Sequence, residues 1–184
     1  MKRRRSFRFA GFLACGLLAV LIWWPGWHDN YHVVLPRELY RSAQMTTERL
    51  SHHIKEDGIH TVINLRSQDD HGRWLSEQQA CVKIGVTFVH FPLSGDRAPS
   101  SSETAALVAA MRTAVRPILV HCEHGADRTS FVVALYLKEI ARRPEQEARK
   151  AFSIRYGHMA FLWVGCFDDA FAQFCRDQHP ALSQ

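Results

Sequence analysis

The sequence predicts one α/β domain in which helices flank a central, mostly parallel sheet, with one N-terminal transmembrane helix before it. Short β-branched strands alternate along the chain with helical patterns of about 10 to 15 residues, and this alternation is typical of parallel sheets covered by helices. A basic cluster and a long apolar run precede the alternation. The chain has 184 residues, so the part after the apolar run suffices for one core of ordinary size.

Local patterns predict each strand and helix of the domain. Pro36 separates the first two strand segments, and Thr46 and Gly58 are typical residues at the start and the end of a helix. The predicted strands are residues 32–35, 39–41, 60–65, 86–91 and 117–121. The predicted helices are residues 46–57, 74–84, 103–115 and 130–140, and residues 144–177 are predicted to form two more helices with a break near Gly157.

The apolar run at residues 9–24, extended by residues 25–27, is just long enough to span a bilayer. The basic cluster before it consists of Lys2, Arg3, Arg4, Arg5 and Arg8. We expect residues 1–27 to be an uncleaved anchor or signal segment and residues 28–184 to be the folded domain. A cleaved signal is the first alternative, although the run ends in Trp24 and Pro25 instead of small residues. A core helix is the second.

Basic residues before a span favour a cytoplasmic amino terminus. We therefore expect a single-pass protein of the inner (plasma) membrane whose domain lies in the periplasm or outside the cell. The same cluster accounts for the formal net charge of +5 and the sequence pI of about 9.1, and the charges of the domain are balanced and mixed. Nucleic-acid-binding domains usually carry a positive face, so nucleic acid is not a predicted partner.

Four cysteines lie after the apolar run, and they form no CxxC pair. They are Cys81, Cys122, Cys166 and Cys175. We expect all of them except Cys122 to be buried structural thiols, with a disulfide between two of those three as the alternative.

Residues 121–130 read His-Cys-Glu-His-Gly-Ala-Asp-Arg-Thr-Ser and join an apolar strand to an apolar helix. Ligands of such sheets bind beyond the carboxyl ends of the strands. Successive backbone N–H groups in this loop, together with the positive end of the following helix, can bind an anion. Gly125 lets the backbone curl inward, and Arg128 offers a planar fork for two phosphate oxygens.

The field that binds a phosphate dianion also stabilises a thiolate, so Cys122 is predicted to be a nucleophile that forms a phosphocysteine intermediate. Thr129 is expected to donate its hydroxyl to the sulfur. The predicted phosphate-binding loop consists of His121, Glu123, His124, Gly125, Ala126, Asp127 and Arg128. No metal or organic cofactor is predicted, because the loop, the thiolate and one carboxyl group complete the reaction.

Two other interpretations of this segment remain open. A zinc site could use His121, Cys122 and His124, but it would need further ligands from elsewhere and would leave Arg128 without a role. Alternatively, the segment is a buried strand followed by a solvated helix and carries no site. Average residue usage makes so specific a pattern a rare accident.

The pattern His-Cys-x2-Gly-x2-Arg-Thr at residues 121–129 resembles the signature of the cysteine-dependent protein tyrosine phosphatase superfamily, and the short chain resembles its atypical dual-specificity branch. Residues 39–42 (Leu-Tyr-Arg-Ser) and 61–66 (Thr-Val-Ile-Asn-Leu-Arg) are similar to segments of small members of that branch. The likeness covers about residues 33–155. It implies a dual-specificity-phosphatase-like fold and hydrolysis of a phosphorylated protein or a small phosphomonoester.

The resemblance also implies a general acid in a loop upstream of the signature. Asp96 lies in such a loop, after the strand predicted at residues 86–91, and is the predicted acid. Asp69 and Asp70 are the alternatives, because the usual Trp-Pro-Asp arrangement is absent.

A tyrosine or dual-specificity protein phosphatase is the first prediction for the substrate class. Related enzymes that act on inositol polyphosphates often have lysines in the loop, whereas Glu123 and Asp127 are acidic here. A lipid or inositol phosphate phosphatase of the cell envelope is the alternative. Sulfur transfer or arsenate reduction is a second enzyme class, whose loops typically lack the Arg-Thr ending. An inactive phosphate-binding module would normally have lost the cysteine or the arginine.

Overall fold

The structure is a computed structural model that describes residues 29–67, 72–159 and 165–178. Its core is a five-stranded sheet in the order β1-β2-β5-β3-β4. The strands are β1 (His32–Leu35), β2 (Leu39–Ser42), β3 (Thr61–Asn64), β4 (Thr87–His90) and β5 (Ile118–His121). The outer pair β1–β2 is antiparallel and the other pairings are parallel, so the sheet is mixed.

Helices cover both faces of the sheet. They are α1 (Thr47–Asp57), α2 (Arg73–Lys83), α3 (Ser101–Thr113), α4 (Asp127–Glu139), α5 (Glu145–Ala148) and α6 (Cys166–Gln178), and single 3-10 turns follow α5 at Arg149–Ala151 and Ile154–Tyr156. The Thr46 hydroxyl caps α1, and Gly58 ends it in the left-handed conformation. A capping box between Ser100 and Glu103 begins α3.

Alternation along β5 divides the core into two layers. Leu119 packs with residues of α1 and α2 on one face, whereas Ile118 and Val120 pack with α3, α4 and α6 on the other. Because side chains alternate between the faces of a strand, His121 is directed to the same face as Leu119, toward α2. It is also the first residue of the predicted phosphate-binding loop.

The layered α/β architecture follows the prediction, and the strands and the first three helices lie within two residues of their predicted bounds. Two differences matter. Helix α4 begins at Asp127, three residues before its predicted start, so Arg128 lies in its first turn. Residues 144–159 form one short helix and two 3-10 turns instead of a regular helix.

The predicted transmembrane helix is not supported. Within the described ranges, no helix is long and apolar enough to cross a membrane, since the longest helices have 13 residues and a span needs about 20. The apolar run at residues 9–24, on which the prediction was based, lies outside these ranges, as does the predicted segment 1–27. The single-pass topology and the periplasmic location depended on this helix, and they are not supported either.

Candidate active site

A row of polar residues crosses the carboxyl edge of the sheet. Ser42, His121, Asn64 and His90 are the last residues of β2, β5, β3 and β4, and they are paired in register. The phosphate-binding loop, residues 121–128, starts from the centre of this row. A parallel sheet thus delivers the loop to the edge at which such sheets bind ligands.

The loop is packed tightly against the end of β2. Gly125 has a φ of 68°, and a Cβ added there would lie 2.5 Å from the backbone oxygen of Ser42. The backbone N–H of Gln44 donates to the oxygen of Glu123 at 3.1 Å. Glycine is therefore required at position 125 both by its left-handed backbone and by the lack of space for a side chain.

Cys122 lies at the base of the loop with only 3% of its surface exposed. The remaining cysteines in the described ranges are also free thiols. Burial raises the pKa of Cys81 to about 12 and that of Cys175 to about 11, and it is also the main cause that raises the pKa of Cys166. A raised pKa makes a thiol a poor nucleophile near neutral pH. Cys81 and Cys175 are buried, as predicted, whereas Cys166 is only partly buried.

Arg41 supports the loop from behind, a role that the sequence did not predict. Its guanidinium is fully buried and donates to the backbone oxygens of Gly125 at 2.7 Å and Ala126 at 3.3 Å. It also donates to the Ser130 hydroxyl at 2.8 Å and lies 3.9 Å from the centre of the Tyr156 ring. Burial lowers the pKa of Arg41 to about 10, which still leaves it charged at neutral pH. A buried cation therefore satisfies carbonyl groups that would otherwise be unpaired.

Two further contacts hold the outside of the loop. The side-chain amide of Asn30 donates to the backbone oxygens of His124 and Tyr156, each at 2.9 Å. His158 lies between two carboxylates, with its Nδ1 2.7 Å from Asp127 and its Nε2 2.8 Å from Asp168 of α6. Burial would lower the pKa of His158, but these two carboxylates raise it above its usual value. His158 thereby joins the loop to the last helix of the domain.

Arg128 and Thr129 both lie at the start of α4. The Arg128 Nη1 atom is 3.4 Å from the backbone oxygens of Leu65 and Leu93, which are long contacts for a guanidinium. The Thr129 hydroxyl is fully buried and has no hydrogen-bond partner within the described part of the chain. A buried hydroxyl without a partner is unusual. The expected bond from Thr129 to the Cys122 sulfur is not formed in this structure.

The rim of the loop is acidic and partly neutralised. Glu123 and His124 are exposed, and Arg66 lies 3.6 Å from the Glu123 carboxylate. Arg66 is itself 5% exposed, so its charge lies below the rim.

Beneath the strand ends, the carboxylate of Glu77 from α2 contacts His121. The distance from His121 Nε2 to Glu77 Oε1 is 2.6 Å, and the side-chain amides of Asn64 and Gln44 donate to the other carboxylate oxygen at 2.7 and 3.2 Å. Burial would raise the pKa of Glu77, but the His121 charge and the hydrogen bonds from all three partners lower it. Glu77 could not be predicted from the sequence, because a helical glutamate is usually a solvated residue.

Asp96 lies in an exposed loop between β4 and α3. Its backbone N–H donates to the Ser94 hydroxyl at 3.1 Å, and its side chain is exposed. The alternatives Asp69 and Asp70 lie outside the described residues. In the described ranges no group of three or more potential ligands is arranged to hold a metal ion.

A buried thiol beneath a curled anion-binding loop, followed by an arginine in the first turn of a helix, defines a cysteine-dependent phosphatase of the protein tyrosine and dual-specificity superfamily. The model of one family, "DSP-PTPase phosphatase fused to NAD+ Kinase", matches residues 27–160. The chain belongs to this family, and it is a cysteine-dependent phosphatase. Among the curated proteins, none matches the chain.

Solved structures share the fold at low sequence identity. TpbA of P. aeruginosa is 21% identical with a TM-score of 0.61, and the match covers 79% of this chain and 84% of that one. A variant of TpbA in complex with pTyr is 22% identical with a TM-score of 0.55, covering 80% and 91%. PTPMT1 in complex with PI(5)P is 16% identical with a TM-score of 0.62, covering 82% and 99%.

Proposed function

We propose that this phosphatase hydrolyses phosphotyrosine in proteins through a phosphocysteine formed on Cys122. The observation that carries the proposal is the loop itself, with the buried Cys122 thiol at its base, tightly packed Gly125 in its curl and Arg128 in the first turn of α4. The Cys122 thiol is only 3% exposed, so a substrate has to bring its phosphate to the base of the loop.

In the first step, the Cys122 thiolate attacks phosphorus while Arg128 and the backbone N–H groups of the loop hold the equatorial oxygens. The bond between phosphorus and the tyrosine oxygen breaks, and Asp96 donates its proton to the leaving oxygen. In the second step, the Asp96 carboxylate takes a proton from a water molecule that attacks phosphorus. The sulfur–phosphorus bond then breaks, inorganic phosphate leaves, and the thiolate and the protonated Asp96 are restored.

Thr129 supports the second step of the proposal. Among the residues that the structure describes, its buried hydroxyl at the start of α4 has no hydrogen-bond partner, so it is available to donate to the sulfur when negative charge returns there. Such a bond forms most strongly with a thiolate and makes the sulfur a better leaving group.

The charges at the rim support a substrate with one phosphate. Glu123 is exposed beside the loop, and Arg66 partly neutralises it. A ligand with several phosphates that approaches this carboxylate would be repelled by it. The TpbA complex with pTyr shows that a protein of the same fold accommodates the phosphotyrosine group.

A lipid or inositol phosphate is the second candidate, and the PTPMT1 complex with PI(5)P is the observation that favours it. That complex shows that a protein of this fold binds a phosphoinositide. The acidic rim of the present loop is the feature that argues against a polyphosphorylated ligand.

The test is phosphate release by the full chain under reducing conditions, with a phosphotyrosine peptide, a phosphoserine peptide, a lipid phosphomonoester and an inositol polyphosphate compared at equal concentration. Cys122→Ser is the blank, and Cys166→Ser is the matched control because Cys166 lies on α6 outside the loop. We expect the phosphotyrosine peptide to rank first and Cys122→Ser alone to abolish activity. If the lipid phosphomonoester ranks above the phosphotyrosine peptide, it replaces phosphotyrosine as the proposed substrate. An active Cys122→Ser would refute the mechanism.

A further inference from the structure

His158 lies between two carboxylates and has no function in the reaction as described so far. Its side chain is 3% exposed, whereas those of Asp127 and Asp168 are 26% and 32% exposed. Asp127 is the first residue of α4, and Asp168 lies in the first turn of α6. Burying an ionisable group is costly unless it is paired, so a buried histidine between two helices in this position needs a physical explanation.

The partners of the imidazole ring indicate that it is charged. Its Nδ1 lies 2.7 Å from the Asp127 carboxylate and its Nε2 lies 2.8 Å from the Asp168 carboxylate. An ionised carboxylate only accepts hydrogen bonds, and a neutral imidazole has one donor nitrogen whereas an imidazolium has two. Two carboxylates therefore fit the charged form of His158. Burial lowers the pKa of His158, but the hydrogen bonds and charges of both carboxylates raise it above its usual value.

The turn before His158 packs against the ring without adding a carboxylate. The backbone N–H of His158 donates to the oxygen of Ser153 at 3.2 Å, and the Phe152 ring meets the imidazole edge-on with the ring centres 5.2 Å apart. Arg155, the charged residue of this turn, is exposed and lies 5.9 Å from the centre of the Tyr156 ring. The charge of His158 is thus directed to Asp127 and Asp168.

The other titratable groups near the two carboxylates do not replace His158. On α6, Cys166 has a pKa that is raised mainly by burial, so its thiol is neutral near neutral pH, and Asp169 is exposed. On the side of the loop, the charge of Arg41 interacts with Asp127, but its guanidinium donates to backbone oxygens of the loop. His158 is therefore the cation that holds the Asp127 side chain.

The start of α4 explains why the position of the Asp127 side chain matters. Side chains of Thr46 and Ser100 cap α1 and α3, whereas α4 begins without a side-chain cap. The N–H groups at the start of a helix attract anions, and an acidic side chain in the first turn competes for them with a bound phosphate. Asp127 is the acidic residue of this turn. While its carboxylate is paired with His158, these N–H groups remain available to phosphate.

We propose that His158 is a positioning residue for phosphate binding: its imidazolium holds the Asp127 carboxylate away from the start of α4 and neutralises it, so that the loop can bind a phosphate dianion. Asp168 holds the imidazolium from α6. The inference rests on the proposed function, in which residues 121–128 bind the phosphate group of the substrate. It adds that the affinity for phosphate depends on the charge of a residue 31 positions after Asp127.

The test measures the binding of sulfate, a dianion of the same shape as phosphate whose charge does not change over the pH range used. The full chain carries Cys122→Ser, so that no thiolate titrates in the loop, and the backbone amide signals of residues 123–128 report the affinity by NMR. We expect His158→Asn to weaken sulfate binding about tenfold at a pH below 6.5, the ordinary pKa of histidine. The difference should disappear at high pH, where His158 of the parent has lost its charge.

His60→Asn is the matched control, because His60 is exposed and precedes β3 at the end of the sheet opposite to the loop. It should leave the sulfate affinity unchanged at each pH. A purely structural role for His158 would weaken binding equally at low and high pH, and this result would overturn the inference. Unchanged affinity in His158→Asn at low pH would overturn it as well.

Asp127→Asn shows whether the effect passes through the Asp127 carboxylate. In this background, the additional substitution His158→Asn should weaken sulfate binding much less than it does in the parent, because no carboxylate is left to compete for the N–H groups of α4. A loss as large as in the parent would contradict the inference, since His158 would then act on the loop by another route.

If His158→Asn fails to fold, the parent itself supplies the test. Coupling between two binding equilibria is reciprocal, so sulfate should raise the pKa of the His158 imidazole, which its ring signals report by NMR. An unchanged pKa would refute the inference and leave the proposed function intact. Sulfate that does not perturb the signals of residues 123–128 in the parent would instead contradict the proposed phosphate site, so the two failures are distinguishable.

Discussion

The phosphate-binding loop and the loop that carries Asp96 are held in opposite ways. The first is supported by distant parts of the chain, as Arg41 and Asn30 donate to its carbonyl groups across 84 and 94 positions. The second is supported by its neighbours: Asp96 N–H bonds to Ser94, and Arg97 bonds to Glu103 six residues later. The phosphate-binding loop, which must hold a fixed geometry for phosphate, is attached to the core. The loop with the proposed proton donor, Asp96, is held by its neighbours in the sequence.

This difference fits the two tasks. Stabilising a transition state by hydrogen bonds needs donors that are already in place, because reorganisation costs free energy. A general acid needs to approach the leaving oxygen only after a substrate has bound, and its contacts often tighten at that stage. We therefore expect changes in the phosphate-binding loop to affect all substrates, and changes at Asp96 to depend on the leaving group.

The largest effect should come from Arg128→Lys. A lysine ammonium cannot reproduce the planar fork that binds two phosphate oxygens, so we expect kcat to fall about 10³-fold, in the range found when one transition-state donor is lost. Steady-state kinetics on a phosphotyrosine peptide measure this loss. Arg112→Lys, on α3, is the control and should keep wild-type activity. A loss of less than about fivefold would contradict the role of Arg128.

Asp96→Asn should give the next largest effect, and it sharpens the contrast between the loops. We expect kcat to fall about 10²-fold for a phosphotyrosine peptide, a typical loss for general acid catalysis, and to fall much less for p-nitrophenyl phosphate, whose leaving group needs no proton. Unchanged kcat on the peptide would exclude Asp96. Asp69→Asn and Asp70→Asn, tested in parallel, would then identify which alternative is the acid.

Gly125→Ala should reduce activity by more than about tenfold, because displacement of a catalytic group by about 1 Å can cost this much. The control is Gly58→Ala, since Gly58 has a similar φ of 64° but no atom within 4 Å of an added Cβ. Both variants share the backbone strain, which is about 1 kcal/mol, but only Gly125→Ala meets the Ser42 backbone. If the two variants have equal activities and lose the same free energy of unfolding in urea, the loop is less rigid than we infer.

The smallest effect concerns His158, whose pKa Asp127 and Asp168 raise although burial opposes them. A raised pKa in the folded state contributes stability that is complete below the ordinary value of 6.5 and is lost as pH rises through the raised value. We expect the free energy of unfolding to decrease over this range and His158→Asn to flatten the decrease. Urea titrations at several pH values, with exposed His60→Asn as the control, measure the slope. If the free energy of unfolding of His158→Asn still decreases with pH as in the wild type, a group other than His158 causes the decrease.

The sequence predicted the features that residues close together in the chain form, and it missed those that depend on contacts between distant residues. The segment from His121 to Thr129 is contiguous, so its chemistry could be inferred without the fold, and the caps Thr46 and Gly58 were also correct. The roles of Arg41 and Glu77 depend on which strands and helices become neighbours, and one sequence gives no information about that. Apolar periodicity suggested a regular helix after residue 144. The backbone oxygen of Ala151 instead accepts from Arg41 and Ser130, so it is engaged in tertiary contacts there.

Asn30 has a practical consequence for where the chain may be shortened. Through this residue, the start of the domain is attached to the outside of the phosphate-binding loop at His124. The backbone oxygen of the neighbouring Asp29 accepts a bond from Ala43, and its carboxylate pairs with Arg49. A truncated protein that begins at Tyr31 would retain the whole signature but lose one of the supports of its active centre. Activity lost by such trimming should therefore be attributed to a missing scaffold before it is attributed to a missing regulatory segment.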